Sequence, residues 1–424
     1  MRYDAVLFDL DGTLTASAPG IFGSVQHALM QLGYPPLEDS KLPGFVGPPL
    51  YESFERIAGL DASQAEQAVA AYREHYEDSG LFRATVYEGI PNLLRQLRAQ
   101  GVYVALASAK PIALAHRVLE HFGLTRFFDR VIGADPGRRE SDKQSLLQDA
   151  LPARYERAAM VGDRRYDMEA AKALGLDAVG AAWGYGTEAE LREAGADAVA
   201  HTVGEAARYL CGEDAPAPRG FFISIEGLDG CGKTTQMNAV AAHAAARGYA
   251  VVTTREPGGA PVSEEIRRLV LDPEKSMCAQ TEALLYAAAR AEHVRQVIRP
   301  ALEKGKIVLC DRFVDSSIAY QGGGRELGME QVMAINAMAV GGTMPDLTLL
   351  FLVDARTAFL RRSNATALDR LERAGEAFFQ RVYDAYARLA QSGGERFRCI
   401  DACRDIDAVT ADACAHMDRL LAQR

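Results

Sequence analysis

Cysteine is scarce and one-sided: all seven fall from Cys211 onward, at irregular spacing and without a C-x-x-C pair. Neither a zinc site nor a secreted disulfide framework is implied, and buried free thiols are the expected use. Long hydrophobic runs are lacking too, since no apolar stretch approaches the roughly 18 residues that span a bilayer. The opening MRYDAVLFDLDG has none of the charged, apolar and small-residue regions of a secretory leader, so the expectation is a cytoplasmic protein. Positive charge is in deficit: 47 Lys and Arg face 57 Asp and Glu, a formal net charge of −10. That balance argues against a nucleic-acid partner, which would require a basic face, while leaving room for local pockets that take small phosphates.

What remains, at 48% hydrophobic and 25% charged over 424 residues, is ordinary globular composition with length for two or three domains. The stretch FFISIEGLDGCGKTT organises the reading. Phe221, Phe222, Ile223 and Ile225 form a strand-like run that enters Gly227-Leu-Asp229-Gly230-Cys231-Gly232-Lys233-Thr234-Thr235, with the G-x-x-x-x-G-K-[ST] spacing of a phosphate-binding loop. Glycines there let backbone N–H groups curl around phosphate oxygens, Lys233 reaches the β- and γ-phosphates, Thr234 can hold Mg²⁺, and the following helix offers its positive end. Such a loop normally follows the first strand of its domain, so the residues ahead of it must form something else.

They begin with AVLFDLDGTLT, an apolar strand that delivers Asp9, Asp11 and Thr13 at its carboxyl end, where open α/β sheets place ligands. Two carboxylates two residues apart can face a common Mg²⁺, one attacking a phosphoryl group while the other handles the leaving group's proton. VYVALASAK (102–110) ends a second strand near Ser108, a donor for a phosphate oxygen, and AAMVGDRRYD ends a third with Asp163 and Asp167, oxygen ligands for a hard cation. This ordered set resembles the haloacid dehalogenase superfamily of phosphatases over residues 3 to about 210. The resemblance implies Asp9 as the nucleophile forming an aspartyl phosphate, Asp11 as general acid/base, Ser108 as a phosphate ligand, and Asp9, Asp11, Asp163 and Asp167 around Mg²⁺. It points to Lys143 as the phosphate-neutralising lysine, although Lys143 lacks the proline that often follows it in relatives and Lys110 stands near Ser108 in sequence. Between the first two motifs Ile21, Val25, Ala28, Leu29 and Leu32 recur at helical spacing. They read as an inserted cap over about residues 16–86, whose VGPPL resembles phosphoglycolate phosphatases and related nucleotidases. The implied substrate is a small phosphate ester.

GEDAPAPRG carries alternating prolines and reads as an extended linker, centred on residues 213–218, between a domain at 1–212 and one at 219–424. Beyond the phosphate loop, TTREPGG sets Arg255 beside a Pro-Gly-Gly turn, suited to a fixed monophosphate. Tyr286 and Arg290 lie one turn apart on a helix, a spacing equally that of a packed tyrosine and a solvated arginine. KIVLCDRF delivers Asp311 and Arg312 at a strand end, IAYQGGGR adds Gln321, and PDLTLLFLVD is a buried strand. Together these six pieces resemble thymidylate kinases over about 219–421. The resemblance implies that residues of the 227–235 loop, with Asp311, serve ATP·Mg²⁺; that Arg255, Arg290 and Arg312 take the acceptor phosphate; that Asp229 reaches the sugar hydroxyl; and that Tyr286 stacks on thymine while Gln321 helps read it. The loop has Gly230 where one branch of the family places an arginine, so a mobile lid should supply the charge. In LRRSNATALDRLER, however, Arg361, Arg362, Arg370 and Arg373 stand only at the edges; Arg370 joins Arg312 and Lys233 as an expected catalytic cation, and the departure bears on rate.

The expected architecture is α/β with two doubly wound parallel sheets, a Rossmann-like phosphatase with a helical cap and a P-loop nucleoside monophosphate kinase. The expected function is bifunctional: ATP and dTMP giving ADP and dTDP, plus Mg²⁺-dependent hydrolysis of a small phosphate monoester, with a homodimer formed through the kinase domain. A kinase for another nucleoside monophosphate, or an inactive kinase-like binding module attached to an active phosphatase, stays open at this stage. A signalling GTPase does not fit, because the chain has no N-K-x-D guanine-reading motif.

Overall fold

The computed structural model describes residues 2–48, 50–134, 142–213, 215, 218–354, 356–358 and 375–423. They form two compact units, one of Met1–Pro216 with Ala246–Tyr249 and the other of Ala217–Ala245 with Ala250–Arg424. No helix among the described residues is long and apolar enough to cross a membrane.

The first unit holds eight described strands: β1 (Ala5–Phe8), β2 (Thr15–Ala16), β3 (Thr85–Val86), β4 (Tyr103–Pro111), β5 (Arg130–Ala134), β6 (Ala158–Gly162), β7 (Asp177–Ala181) and β8 (Ala198–Ala200). Six of them make one parallel sheet in the order β5-β4-β1-β6-β7-β8. β1 is buried along its whole length, the pattern of a central parallel strand covered on both faces. Its register sets Phe8 beside Leu106 of β4 and Val161 of β6, so the residues that follow these strands emerge at one edge. The switch in strand order falls there, and open α/β sheets bind ligands at that point.

The insertion after β1 leaves through β2 and returns through β3, which pair antiparallel as Thr15 with Val86 and Ala16 with Thr85. Between them lie the helices Ala18–Gln31, Leu50–Arg56 and Ala62–His75. The stripe read from the sequence is the buried one: Ile21, Val25, Ala28 and Leu29 join Ala65, Ala68 and Tyr72 in one apolar cluster. The third of these helices starts on a capping box in which Asp61 accepts from the Gln64 N–H and Gln64 answers on the Asp61 N–H.

The second unit's sheet is parallel as well, built from β9 (Phe221–Gly227), β10 (Val251–Arg255), β11 (Ile307–Asp311), β12 (Leu347–Leu352) and β13 (Phe397–Asp401) in the order β10-β11-β9-β12-β13. All seven residues of β9 are buried. Phe221, Phe222 and Ile223 each contribute about 1.5–3 kcal/mol by that burial. The register aligns Arg255, Asp311 and Ile225 across three strands, which brings the ends of β10 and β11 level with the entry to the phosphate loop.

Candidate functional sites

In the first unit the carboxyl ends of β1, β4 and β6 gather a dense set of charges. Asp9, Asp163 and Asp167 are all buried and bring ligand oxygens within 4.8 Å of one another. Lys143, the first residue of the helix Lys143–Ala150, bridges two of them, with Nζ 2.6 Å from Asp9 Oδ1 and 2.7 Å from Asp167 Oδ1. Burial presses the lysine's pKa down, but Asp167 and Asp9 outweigh it and hold it above the ordinary value. Burial pushes the Asp9 carboxyl up to about 6 against the pull of Lys143, and burial with Asp167 and Asp9 raises Asp163 well above the usual range. Asp163 is held by the Thr13 hydroxyl at 3.3 Å and the Tyr185 N–H at 2.9 Å, while the Arg164 N–H donates to Asp167 at 3.1 Å. Gly12 is required: its φ is +86°, and a Cβ there would lie 2.1 Å from Asp163 Oδ2.

Asp11 does not join that triad. Its Oδ2 takes Lys110 Nζ at 2.7 Å, and its Oδ1 is buried without a hydrogen-bond partner. Lys110 also donates to the hydroxyl of Tyr76, a residue of the insertion, at 2.7 Å. Ser108 is buried in β4 and accepts from the Lys110 N–H at 3.4 Å. Three buried carboxylates in oxygen-only array suit a hard divalent cation, so the residues present fit Mg²⁺.

In the second unit a cavity of about 560 Å³ opens at the carboxyl edge of the sheet. Asp229, Gly230, Gly232, Lys233, Thr234 and Thr235 line one side, and Arg255, Tyr286, Arg290, Asp311, Arg312 and Gln321 line the rest. Gly227 and Cys231 belong to the loop but do not line the cavity: Gly227 has φ +137°, and a Cβ on it would meet the Phe351 carbonyl at 2.4 Å. Lys233 donates to the Leu228 carbonyl at 2.9 Å and the Gly227 carbonyl at 3.3 Å, folded back along the loop that it would leave to meet a phosphate. The loop's positive-φ glycines, the helix start at Lys233 and a buried, unpartnered Oδ1 on Asp311 fit a nucleotide phosphate with its cation.

Arg312 occupies the left-handed region at φ +70°, a conformation that a side-chain-bearing residue adopts only when its surroundings impose it. Its guanidinium donates to Asp229 at 2.5 Å, to the Gly227 carbonyl and Ser316 at 3.1 Å and to Tyr320 at 3.2 Å. Burial presses Asp229 upward, but Arg312 and Lys233 outweigh it and hold the carboxyl well below its ordinary value. Arg290 is fully buried and pinned, with Nε on Glu256 at 2.7 Å and further bonds to Asn336, the Phe313 carbonyl and Ser317. Arg255 pairs with Glu264 at 3.1 Å. Gln321, in the π-helical turn Ile318–Gly324, donates to Glu282 at 2.9 Å. Arg370 lies outside the described residues, as do Arg361, Arg362 and Arg373.

Sequence reasoning missed several partners. Glu226, the one charged residue of β9, accepts from the Phe313 N–H at 2.8 Å, Ser316 at 2.5 Å and Tyr386 at 2.8 Å, so it fixes the residue that follows Arg312. Burial, with Asp315 adding to it, pushes this carboxyl up to about 7. Glu256 holds both Arg290 and His293, and His293 in turn meets Thr254 at 2.7 Å. A lone acid in a buried strand was the available signal for Glu226; Tyr386 and Tyr76 sit in helices with no local motif.

Residues 225–413 match the thymidylate kinase family model and residues 6–181 match that of haloacid dehalogenase-like hydrolases. The chain is 47% identical over 206 residues to a thymidylate kinase of Exiguobacterium sibiricum, covering 48% of this chain and 97% of that one. A thymidylate kinase of Pseudomonas putida is 46% identical over 194 residues, covering 46% of this chain and 92% of its own. Among solved structures, a predicted phosphatase from Clostridium acetobutylicum is 35% identical, covering 50% of this chain and 99% of that one, with a TM-score of 0.46.

Proposed function

The chain belongs to the thymidylate kinase family through its second unit and carries a haloacid dehalogenase-like hydrolase as its first, and on that premise we propose two reactions for it. The second unit transfers the γ-phosphoryl group of ATP to dTMP, giving ADP and dTDP. The first hydrolyses a small phosphate monoester through a phosphorylated Asp9.

The kinase reading is carried by one observation: loop, acid and arginines from β9, β10 and β11 share the wall of one cavity of about 560 Å³. An oxygen of the acceptor phosphate attacks the γ-phosphorus as the bond to the β-phosphate oxygen breaks. Lys233 swings from the loop carbonyls to the donor phosphates, and Arg312 neutralises charge where donor and acceptor meet. Arg255 and Arg290 form the acceptor side, Asp229 meets the sugar hydroxyl, Tyr286 stacks on the base and Gln321 reads its edge. Such transfer depends on alignment and charge neutralisation more than on covalent help.

In the first unit Asp9 attacks phosphorus while the ester oxygen leaves with a proton from Asp11, and Asp11 then takes a proton from the water that releases phosphate. Lys143 holds Asp9 in place and balances the phosphoryl charge, and Ser108 donates to a phosphoryl oxygen. Mg²⁺, when bound by Asp9, Asp163 and Asp167 or beside Thr234 and Asp311, supplies the remaining neutralisation of phosphate charge. The net charge of −10 supports small-molecule partners over nucleic acid and is in keeping with a cytoplasmic enzyme. A homodimer through the kinase unit would cover Met333 and Met338, which stand exposed on the helix Met329–Val340.

The test is direct. Full-length protein with ATP and Mg²⁺ is offered a panel of nucleoside monophosphates, and separately a panel of phosphoglycolate, nucleotides and sugar phosphates. We expect dTDP from dTMP ahead of every other acceptor, and phosphate from a small ester ahead of dTMP. Preference for a different acceptor would reassign the kinase, and no turnover of any acceptor would leave the second unit a binding module.

A further inference from the structure

Glu282 stands in the helix Ala279–His293, one turn before Tyr286, and is almost completely buried. It accepts a hydrogen bond from Gln321 Nε2 at 2.9 Å and forms an ion pair with Arg325 Nε at 3.3 Å. A carboxylate can only accept, so only the NH₂ end of a primary amide can face it. Turning Gln321 over would set its carbonyl lone pairs against the carboxylate's charge. Glutamine amides flip at little cost when nothing distinguishes their ends, so the neighbour decides what the side chain shows. With Nε2 committed to Glu282, Oε1 is the polar atom that Gln321 has left for the cavity that it lines with Tyr286.

We propose that Glu282 is a specificity-determining positioning residue: it locks the Gln321 amide so that the cavity presents an acceptor, selecting a base whose ring edge offers an N–H, the imide of thymine or uracil, over cytosine. This rests on reading the cavity as a nucleoside monophosphate site. The cytosine ring nitrogen at the corresponding position is itself an acceptor, so its approach would press two lone pairs together in a buried place and leave both unpaired. The lock rejects cytosine by repulsion and accepts the imide by attraction, and both arms come from one buried carboxylate. The base's methyl group plays no part in it.

The experiment measures kcat/KM for dTMP and for dCMP with the full-length protein and two variants. Glu282→Gln can turn either end of its own amide toward Gln321, so both orientations of Gln321 become available. The ratio of dTMP to dCMP is expected to fall about tenfold or more. The double exchange Glu282→Gln with Gln321→Glu restores a carboxylate–amide pair with an acceptor facing the cavity, and is expected to recover the preference. A residue that merely supported the fold would slow both substrates together and leave the ratio alone. A ratio within about twofold of the unaltered protein in the single variant would overturn the lock. Should that variant fail to fold, the double exchange decides alone, since retention of the preference supports the lock and loss overturns it. An unaltered protein that makes no dTDP from dTMP would instead overturn the reading of the site.

Discussion

The two units put phosphate chemistry at the same place, the carboxyl edge of a parallel sheet, and arm it in opposite ways. The first edge carries carboxylates that arrive already matched with cations: Lys143 lies between Asp9 and Asp167, and Lys110 lies on Asp11. The second carries a glycine-rich loop with Lys233 and Arg312, and of the acids that line its cavity Asp229 is bound to Arg312 and Glu256 to Arg290. The difference follows from the chemistry proposed for each. A covalent route needs a nucleophile, so carboxylates must be brought together and their repulsion offset in advance. Direct transfer needs donor and acceptor phosphates held in line, so backbone N–H groups and cations dominate.

The comparison breaks most sharply at Asp9. Asp9→Asn should lower phosphate release about a thousandfold or more while dTDP formation stays unchanged, because an amide is a far poorer nucleophile than a carboxylate. A variant still hydrolysing at the parental rate would mean that the nucleophile lies elsewhere.

The next largest effect is expected at the corresponding charge of the other edge. Arg312→Ala should lower kcat for dTDP about 10²–10³-fold, the usual scale for removing a preorganised group at developing charge, with hydrolysis untouched. Steady-state kinetics with dTMP checks this, and a rise confined to KM would make Arg312 a holder of ground-state substrate.

The smallest effect sharpens the account of how Arg312 is held. Glu226 has a carboxyl raised to about 7 by burial, so the folded state prefers it protonated and the unfolded state does not. Its contribution is therefore fully present below the unfolded pKa and is lost as pH rises through 7. Compared with Glu226→Gln, the natural protein should lose about 1–3 kcal/mol of relative stability between pH 5 and pH 8, read from paired thermal melts. A pH-independent difference would place Glu226 in a less buried setting than the one seen.

The fold was legible where one residue type has one use. β1 and β9 are apolar runs that end in acids or glycines, and they are the central strands of their sheets. The stripe from Ile21 to Leu29 announced a helix buried on one face. What was not legible is who holds the functional groups. Arg290 is expected on the acceptor phosphate, but nothing near it in sequence shows that Glu256, Asn336 and Ser317 hold it, since those partners lie 34, 46 and 27 residues away. Tyr76 reaches Lys110 from across the insertion. Periodicity and motif spacing describe neighbours along the chain, and these contacts are made only by the fold.

The central claim is that one chain carries two independent phosphate chemistries, and Lys233→Ala tests it most directly. The full-length variant is assayed side by side for dTDP from ATP and dTMP and for phosphate release from the best monoester. The account predicts a loss of dTDP formation of about a hundredfold or more, with phosphate release within about twofold of the unaltered protein. A parallel loss of both activities would contradict it.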